Sequence, residues 1–306
     1  MAAALQSALT REEIRHLTHL RDWRSWVSIA LDWSVIAGSF WLVAQWPNPL
    51  TIVAALFLIG ARQLGLAILM HDAAHRTLLR HRFWNDWVAN WLCAYPVWSD
   101  VHPYRAYHLQ HHTKTWTADD PDLDLATPFP ITRASLRRKI WRDLSGQTGW
   151  KRAKATYRRD VGGADGERLD FTGTRNLWGV MLTNAILLVI LSATGHPWLY
   201  LLWAGAWFTT YSLLMRVRSI AEHAMIPNPS DPLGNTRTTR ARWWERLLIA
   251  PNRVNFHLEH HLLMTVPHYH LPRMHGLLGD RGLLAEACVT DGYGAVLRLA
   301  ASREAA

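Results

Sequence analysis

The hydrophobic positions of this 306-residue chain fall into long apolar runs that alternate with polar, arginine-rich stretches. A membrane-crossing α-helix needs roughly 20 apolar residues, and four runs reach or approach that length. Tight breaks at Pro47-Asn48-Pro49 and Gly195-His196-Pro197 join them in pairs. The pattern therefore predicts two helical hairpins that cross a membrane, with spans at about 26–46 and 50–70, then 176–194 and 198–215.

Two formal charges interrupt the first hairpin. Asp32 lies in the first run, and we expect it either at the membrane interface or inside the helix bundle. Arg62 lies in the second run, where a snorkelling or bundle-facing side chain is the expected arrangement.

The distribution of basic residues predicts how the hairpins are oriented. Neither break between paired runs contains Lys or Arg, whereas residues 127–175 are rich in both. Because basic residues collect on the cytoplasmic side, we expect both termini and the polar segments there. Residues 1–24 are predicted to be a cytosolic lead, residues 25–275 a membrane domain and residues 276–306 a cytosolic tail.

The amino-acid composition excludes several classes of protein. The two cysteines are too few for a disulfide framework or an iron–sulfur cluster, and the charged start predicts no cleavable signal peptide. The net charge of +9 is explained by basic segments next to membrane spans, so we expect no nucleic-acid partner. The basic segment 133–159 suits either anionic lipid headgroups or an acidic protein partner.

Eight of the seventeen histidines fall in three short clusters, here called the first, second and third histidine boxes. Residues three and four apart share a helix face, so each box can direct its imidazoles at one point. Imidazole binds iron, zinc, copper and nickel, and eight such ligands exceed what one ion accepts, which predicts two metal ions. The boxes are His71-Asp72-Ala73-Ala74-His75, His108-Leu109-Gln110-His111-His112 and His257-Leu258-Glu259-His260-His261.

These boxes, set between two membrane hairpins, resemble those of the membrane fatty acid desaturase and hydroxylase superfamily. The acidic stretch at 119–122, the segment 218–223 and the sequence 262–272 are also similar to that superfamily. The resemblance implies an all-α integral membrane fold of four transmembrane helices, with a cytosolic helical cap that carries the boxes. It also implies a non-haem centre of two iron ions whose ligands are His71, His75, His108, His111, His112, His223, His257, His260 and His261.

Three carboxylates next to these histidines, Asp72, Glu222 and Glu259, are expected either to orient the imidazoles or to face solvent. Four further histidines lie near the boxes but outside their spacing, and we exclude them from the ligand set: His102, His268, His270 and His275.

The resemblance implies an oxidoreductase that uses O₂ to place a double bond in an acyl chain of a membrane lipid. Breaking an unactivated C–H bond demands an oxidant that no side chain provides, so the metal and O₂ must supply it. The chain has no G-x-G-x-x-G dinucleotide fingerprint after a strand and few cysteines. We therefore expect electrons from a separate ferredoxin- or cytochrome-type donor.

The same residue pattern fits other functions. A hydroxylase or ketolase acting on a carotenoid, sterol or alkane would carry the same boxes. A metal transporter is disfavoured, because no predicted span carries a row of ligands. A zinc protease is disfavoured because the first box has Asp72 where H-E-x-x-H has its catalytic Glu.

Overall fold

The computed structural model of the chain describes residues 9–157 and 171–304. Residues 1–8 of the predicted lead, Arg158 and Arg159 of the basic segment and the last two residues of the predicted tail lie outside the described residues. The described part is mostly helical. Its first eight helices are α1 (Arg11–Thr18), α2 (Asp22–Gln45), α3 (Pro49–Ala74), α4 (Arg82–Ala89), α5 (Val101–Lys114), α6 (Leu123–Ala126), α7 (Arg133–Leu144) and α8 (Gln147–Tyr157). The remaining α-helices and the two strands are α9 (Phe171–Ala193), α10 (Tyr200–Phe208), α11 (Thr210–His223), β1 (Thr238–Arg240), α12 (Trp243–Leu248), α13 (His257–Leu262), α14 (Leu271–Asp280), β2 (Val289–Asp291) and α15 (Tyr293–Ala300).

Helices α2 and α3 form the first predicted hairpin. The turn lies at the predicted break: Asn48 caps α3 by accepting hydrogen bonds from the backbone N–H groups of Leu50 and Thr51, and Pro49 takes the first helical position. Within the described residues, these two helices are long and apolar enough to cross a membrane. The 26 residues of α3 extend about 39 Å, so its last turn projects beyond a hydrocarbon core of about 30 Å.

The second predicted hairpin is less regular. Helix α9 contains the apolar stretch Leu177–Ala193, but the fourth predicted run is divided into α10 and α11 at Thr209. The hydroxyl of Thr209 donates to the carbonyl of Gly205 at 2.6 Å, a local bond that bends helices. A count of four spans therefore stays a prediction.

Asp32 and Arg62 meet inside the bundle. Arg62 Nη1 lies 3.0 Å from Asp32 Oδ1, and both residues are buried. Asn252 donates to the other carboxylate oxygen at 2.9 Å. Of the two positions predicted for Asp32, the structure selects the bundle interior, because only there does the carboxylate reach its counter-ion.

Helix α3 is the centre of the core. Every residue from Ile59 to Ala74 is buried, because α2, α5, α10 and α11 pack around this half of the helix. Gly60 allows the closest of these approaches: a Cβ there would lie 2.8 Å from the backbone nitrogen of Tyr211 in α11. The burial fixes the end of α3, and with it the first histidine box.

The described part of the predicted tail, residues 276–304, packs on the domain. Strand β2 pairs in parallel with β1, and Tyr293 and Val296 of α15 are buried in the main core. This short sheet is also an addition to the predicted all-α fold. Strands of three residues are too short to give a recognisable alternating pattern in the sequence.

Candidate metal centre

Four helices bring the histidine boxes to one place. His71 lies in the last turn of α3, and His75 follows at its C-terminal cap. The second box occupies α5, the third box occupies α13, and α11 ends at His223. Since α3 is fixed by the core, the other three helices gather around its projecting end.

The nine predicted ligands form two separate groups. In each group one ring nitrogen per residue lies within 4.8 Å of the corresponding nitrogens of all the others. The five-histidine group contains His71, His75, His108, His112 and His260, and the four-histidine group contains His111, His223, His257 and His261.

Helical periodicity explains how one box serves both groups. At about 100° per residue, His108 and His112 lie about 40° apart around α5, whereas His111 lies about 60° from His108 on its other side and about 100° from His112. The first two join the five-histidine group and His111 joins the four-histidine group. In the third box, the i, i+4 pair His257 and His261 joins the four-histidine group, and His260 joins the five-histidine group.

The distances within each group suit ligands of a common ion. Nε2 of His112 lies 3.0 Å from Nε2 of both His108 and His260, and Nε2 of His257 lies 2.8 Å from Nε2 of His223. Imidazole nitrogens bind transition metals at about 2.0–2.1 Å. Two ligands at right angles around such an ion are about 3 Å apart, so these nitrogens are spaced as neighbouring ligands.

The burial of the nine histidines also indicates that a metal ion fits between them. Eight of the nine histidines are buried, and the ring nitrogens of His75 are also shielded from solvent. Among the described residues, both nitrogens of His71 and His75 and Nε2 of His111 and His261 have no hydrogen-bond partner. A buried polar atom left unpaired costs about 1–3 kcal/mol. Metal binding would satisfy one nitrogen of each of these four rings.

The protonation state of the site also favours a metal. Burial lowers the pKa of His75 to about 3. Burial, reinforced by the neighbouring imidazoles, holds the pKa of five others well below the ordinary value for histidine: His108, His112, His257, His260 and His261. Neutral imidazole is the form that binds metal, so the site is ready for cations at physiological pH.

Carboxylates support three of the clustered histidines. Asp120 Oδ1 lies 2.8 Å from Nδ1 of His111. Asp72 Oδ1 lies 3.6 Å from Nδ1 of His71, and Glu222 Oε1 lies 3.5 Å from Nδ1 of His257. The hydrogen bond to Asp120 fixes the ring orientation and tautomer of His111 and leaves its Nε2 for the metal. Asp72 and Glu222 lie further from their rings and place a buried negative charge beside His71 and His257. All three carboxylates thus lie next to the histidines rather than at the surface, although the sequence marks Asp120 only as part of an acidic stretch.

Glu259 does not follow this pattern. Its side chain is buried, but it contacts His275 Nδ1 at 2.5 Å and the hydroxyl of Thr238 at 2.5 Å. Its role is to tie α13 to α14 and β1. Proximity in sequence to two clustered histidines is misleading here, because residue 259 faces away from both groups on the short helix.

The four histidines excluded from the ligand set stay outside both groups. His102 is exposed, and His270 is buried beside α14. His268 and His275 bond to the carboxylates of Asp72 and Glu259 instead. The sequence gives no sign of the contact between His268 and Asp72, because the two residues lie 196 positions apart.

A cavity of about 230 Å³ opens directly on the histidines. Ile68, Met70 and Met215 contribute apolar walls, whereas Tyr104 and Arg218 contribute polar ones. Histidines of both groups lie on its surface: His108, His111, His223 and His257. A substrate group in this cavity would lie against both candidate metal positions.

Comparison with known proteins agrees with this site. Residues 47–290 match the family model described as fatty acid desaturase. The chain is 28% identical over 278 residues to dihydrorhizobitoxine desaturase of Bradyrhizobium elkanii, with 84% of this chain and 76% of the relative covered. It is 23% identical over 278 residues to sn-1 oleoyl-lipid 12-desaturase of Anabaena variabilis, with 81% and 74% covered.

Proposed function

This chain belongs to the fatty acid desaturase family, and from that premise we propose that it uses O₂ and two histidine-held iron ions to introduce a double bond into an acyl chain of a membrane lipid. The resemblance seen in the sequence is thereby confirmed at the level of family and of oxidoreductase chemistry. Iron, the acyl substrate and the membrane arrangement are parts of the proposal.

One observation carries the proposal: nine histidines from four helices form two buried groups at the end of the central helix α3. Two adjacent groups of neutral nitrogen ligands suit a pair of transition-metal ions. Iron bound there would supply the oxidising power, together with O₂, that C–H cleavage requires.

The residues of the chain contribute position and exclusion of water. Asp120 holds the imidazole of His111 in orientation and leaves its Nε2 for the metal. Asp72 and Glu222 place negative charge beside His71 and His257. The cavity beside the groups can hold one segment of a chain against them, which restricts the reaction to a few carbon atoms. Its apolar walls favour methylene groups over water.

The proposal includes a four-span arrangement with the histidine groups and both termini on the cytoplasmic side. Two long apolar helices and the shorter apolar stretch in α9 support the spans. The lack of Lys and Arg at residues 47–49 and 195–197 supports the orientation. A substrate dissolved in the bilayer would then reach the site from the side.

An external ferredoxin- or cytochrome-type protein would deliver electrons. The chain has two cysteines, of which Cys93 is buried and Cys288 partly buried, and both are free. Exposed arginines and lysines of α7 and α8, among them Arg137 and Lys151, offer a basic surface for an acidic donor.

A lipid-linked acyl chain is the substrate class we favour. The relatives from Anabaena variabilis and Arthrospira platensis bear the name sn-1 oleoyl-lipid 12-desaturase, and each covers 81% of this chain. The Bradyrhizobium elkanii relative is named for a different substrate, dihydrorhizobitoxine, so the family name alone does not fix the substrate.

The test is expression in a host with a simple membrane, together with a compatible ferredoxin and reductase. Total lipids and pigments are then profiled by mass spectrometry beside a His111→Ala control. We expect acyl species lighter by two hydrogen atoms in the wild type alone. Species heavier by one oxygen atom would assign a hydroxylase instead, and purified protein without bound iron would overturn the metal assignment.

A further inference from the structure

A second and larger cavity, here called the arginine cleft, lies outside the histidine groups. Its volume is about 860 Å³, and it opens between the first turns of α2 and the segment 243–253. Arg24, Arg246 and Arg253 line it, together with the deeper Arg62. The chemistry proposed for the histidine site uses none of these residues.

Three of the four guanidinium groups have no counter-ion among the residues that the structure describes. Arg62 is neutralised by Asp32 at 3.0 Å. Across residues 9–157 and 171–304, by contrast, no carboxylate approaches Arg24, Arg246 or Arg253 within 4.0 Å. The cleft therefore presents a surplus of positive charge.

Arg24 is held in place for a ligand. Its guanidinium carbon lies 5.3 Å from the ring centre of Trp23 and 5.4 Å from that of Tyr269. Its Nε is shielded from solvent and lacks a hydrogen-bond partner in the described part of the chain. Cation–π contacts restrict the side chain but leave the donor edge of the guanidinium free.

Arg253 is positioned by an unusual backbone. Its φ is +61°, in the left-handed region that side-chain-bearing residues seldom occupy. Burial and the nearby charge of Arg246 lower the pKa of Arg253. Two like charges are thus kept together although the described part of the chain places no carboxylate beside them. Such an arrangement is stabilised when an anion binds between them.

The cleft is apolar on its other side. Val27 and Leu31 of α2 and Leu247 of α12 line it, and Leu31 is 60% exposed. Trp23 and Trp243 are exposed at its edges. Exposed tryptophans and arginines above an apolar helix face are typical of the lipid headgroup region.

We propose that the arginine cleft binds the phosphate of an anionic phospholipid between Arg24, Arg246 and Arg253, with an acyl chain along Val27 and Leu31. Guanidinium forks match phosphate oxygens through paired hydrogen bonds, and the apolar wall begins where α2 enters its long apolar stretch. The inference relies on the proposed function only for the membrane position of α2.

The bound lipid would lie close to the support of the first histidine box. His268 forms part of the cleft wall, and its Nδ1 lies 2.7 Å from Asp72 beside His71. Only His268 would therefore separate a phosphate in the cleft from Asp72, the carboxylate beside the candidate ligand His71.

The experiment compares lipid retention by three forms of the full-length protein. Each is placed in nanodiscs of phosphatidylcholine that contain about 10% of the anionic lipid phosphatidylglycerol. The three forms are the wild type, the double variant Arg246→Gln/Arg253→Gln, and the matched control Arg11→Gln/Arg15→Gln on the exposed face of α1, outside the cleft. After transfer to mild detergent, native mass spectrometry counts the retained phosphatidylglycerol. We expect retention in the wild type and control, and an approximately tenfold loss in the cleft variant.

Equal retention in all three forms would overturn the proposal. Displacement of the lipid by coenzyme A or inorganic phosphate at stoichiometric concentration would assign the site to a soluble phosphate and would overturn the membrane source. Thermal unfolding of each form shows whether the variant is folded, and Arg24→Lys provides a milder second variant. Iron content and acyl products, measured on the same preparations, report separately on the proposed function.

Discussion

His268 and Asp72 lie 2.7 Å apart, measured from Nδ1 to Oδ2, although 196 positions separate them in the sequence. Because a carboxylate only accepts hydrogen bonds, Nδ1 of His268 carries the proton and donates. Nε2 then accepts from the hydroxyl of Ser28 at 2.8 Å. The other oxygen of Asp72 faces Nδ1 of His71 at 3.6 Å, so His268 acts on the first histidine box through Asp72.

Removing this support is expected to weaken metal binding without emptying the site. In His268→Gln we expect iron affinity to fall by about 10–100-fold, the range seen when outer partners of metal ligands are replaced. Competition with a chelator, read by metal analysis, measures the change. His270→Gln is the control, since His270 is buried nearby but does not contact Asp72. Equal losses in both variants would contradict the role of His268.

The two histidine groups should respond differently to loss of one ligand. His75→Ala leaves four histidines in its group, whereas His223→Ala leaves three in the other. We expect His75→Ala to retain clearly more iron per chain than His223→Ala, because the fourth ligand still closes the site. Iron per chain from plasma emission spectrometry measures this, with the exposed His102→Ala as a control. The reverse order would show that the groups are assigned incorrectly.

The metal-free protein should lose stability as the solution becomes acidic. The pKa of His75 is about 3 in the folded protein, against 6.5 as its ordinary value. Between these values the unfolded chain binds a proton that the folded chain does not, so stability falls as pH drops below about 6.5. One such group contributes about 1.4 kcal/mol per pH unit.

Thermal unfolding of chelator-treated protein between pH 7 and pH 4 measures this dependence. His75→Gln should show a shallower decline than the wild type, by about one proton. A decline of the same slope in His75→Gln would mean that His75 does not contribute.

The buried pair of Asp32 and Arg62 should be sensitive to loss of one partner. Arg62→Leu leaves the carboxylate of Asp32 without its counter-ion, which we expect to cost about 3–5 kcal/mol in the free energy of unfolding. Replacing both residues by leucine removes the uncompensated charge and should recover much of that loss. Denaturation in detergent compares the wild type, Arg62→Leu, Asp32→Leu and the double variant, and additive effects would show that the two residues are not coupled.

Close packing of α3 against α11 predicts a contrast between two helical glycines. In Gly60→Ala the new Cβ would lie 2.8 Å from the backbone nitrogen of Tyr211, so the melting temperature should fall. In Gly38→Ala the Cβ meets no atom within 4 Å, and the helix should gain about 0.5–1 kcal/mol. An unchanged melting temperature in Gly60→Ala would show that the two helices are less closely packed.

Much of the site was predictable from sequence because it is local. Fixed spacing on a helix places His108 and His112 on one face, and this holds before any tertiary structure forms. The same reasoning located the turn at residues 47–49, where Asn48 and Pro49 favour a helix start. It failed for Glu259, whose neighbours in sequence are clustered histidines but whose contacts are Thr238 and His275.

The sequence by itself determined the family, the histidine boxes and the first apolar hairpin, since each depends on residue type and spacing over a few turns. Only the tertiary structure decided which histidine joins which group, that Asp32 pairs with Arg62, and that His268 supports Asp72. Those choices depend on contacts between segments far apart in the chain. Such contacts are set by how whole helices pack, and local periodicity carries no information about that packing.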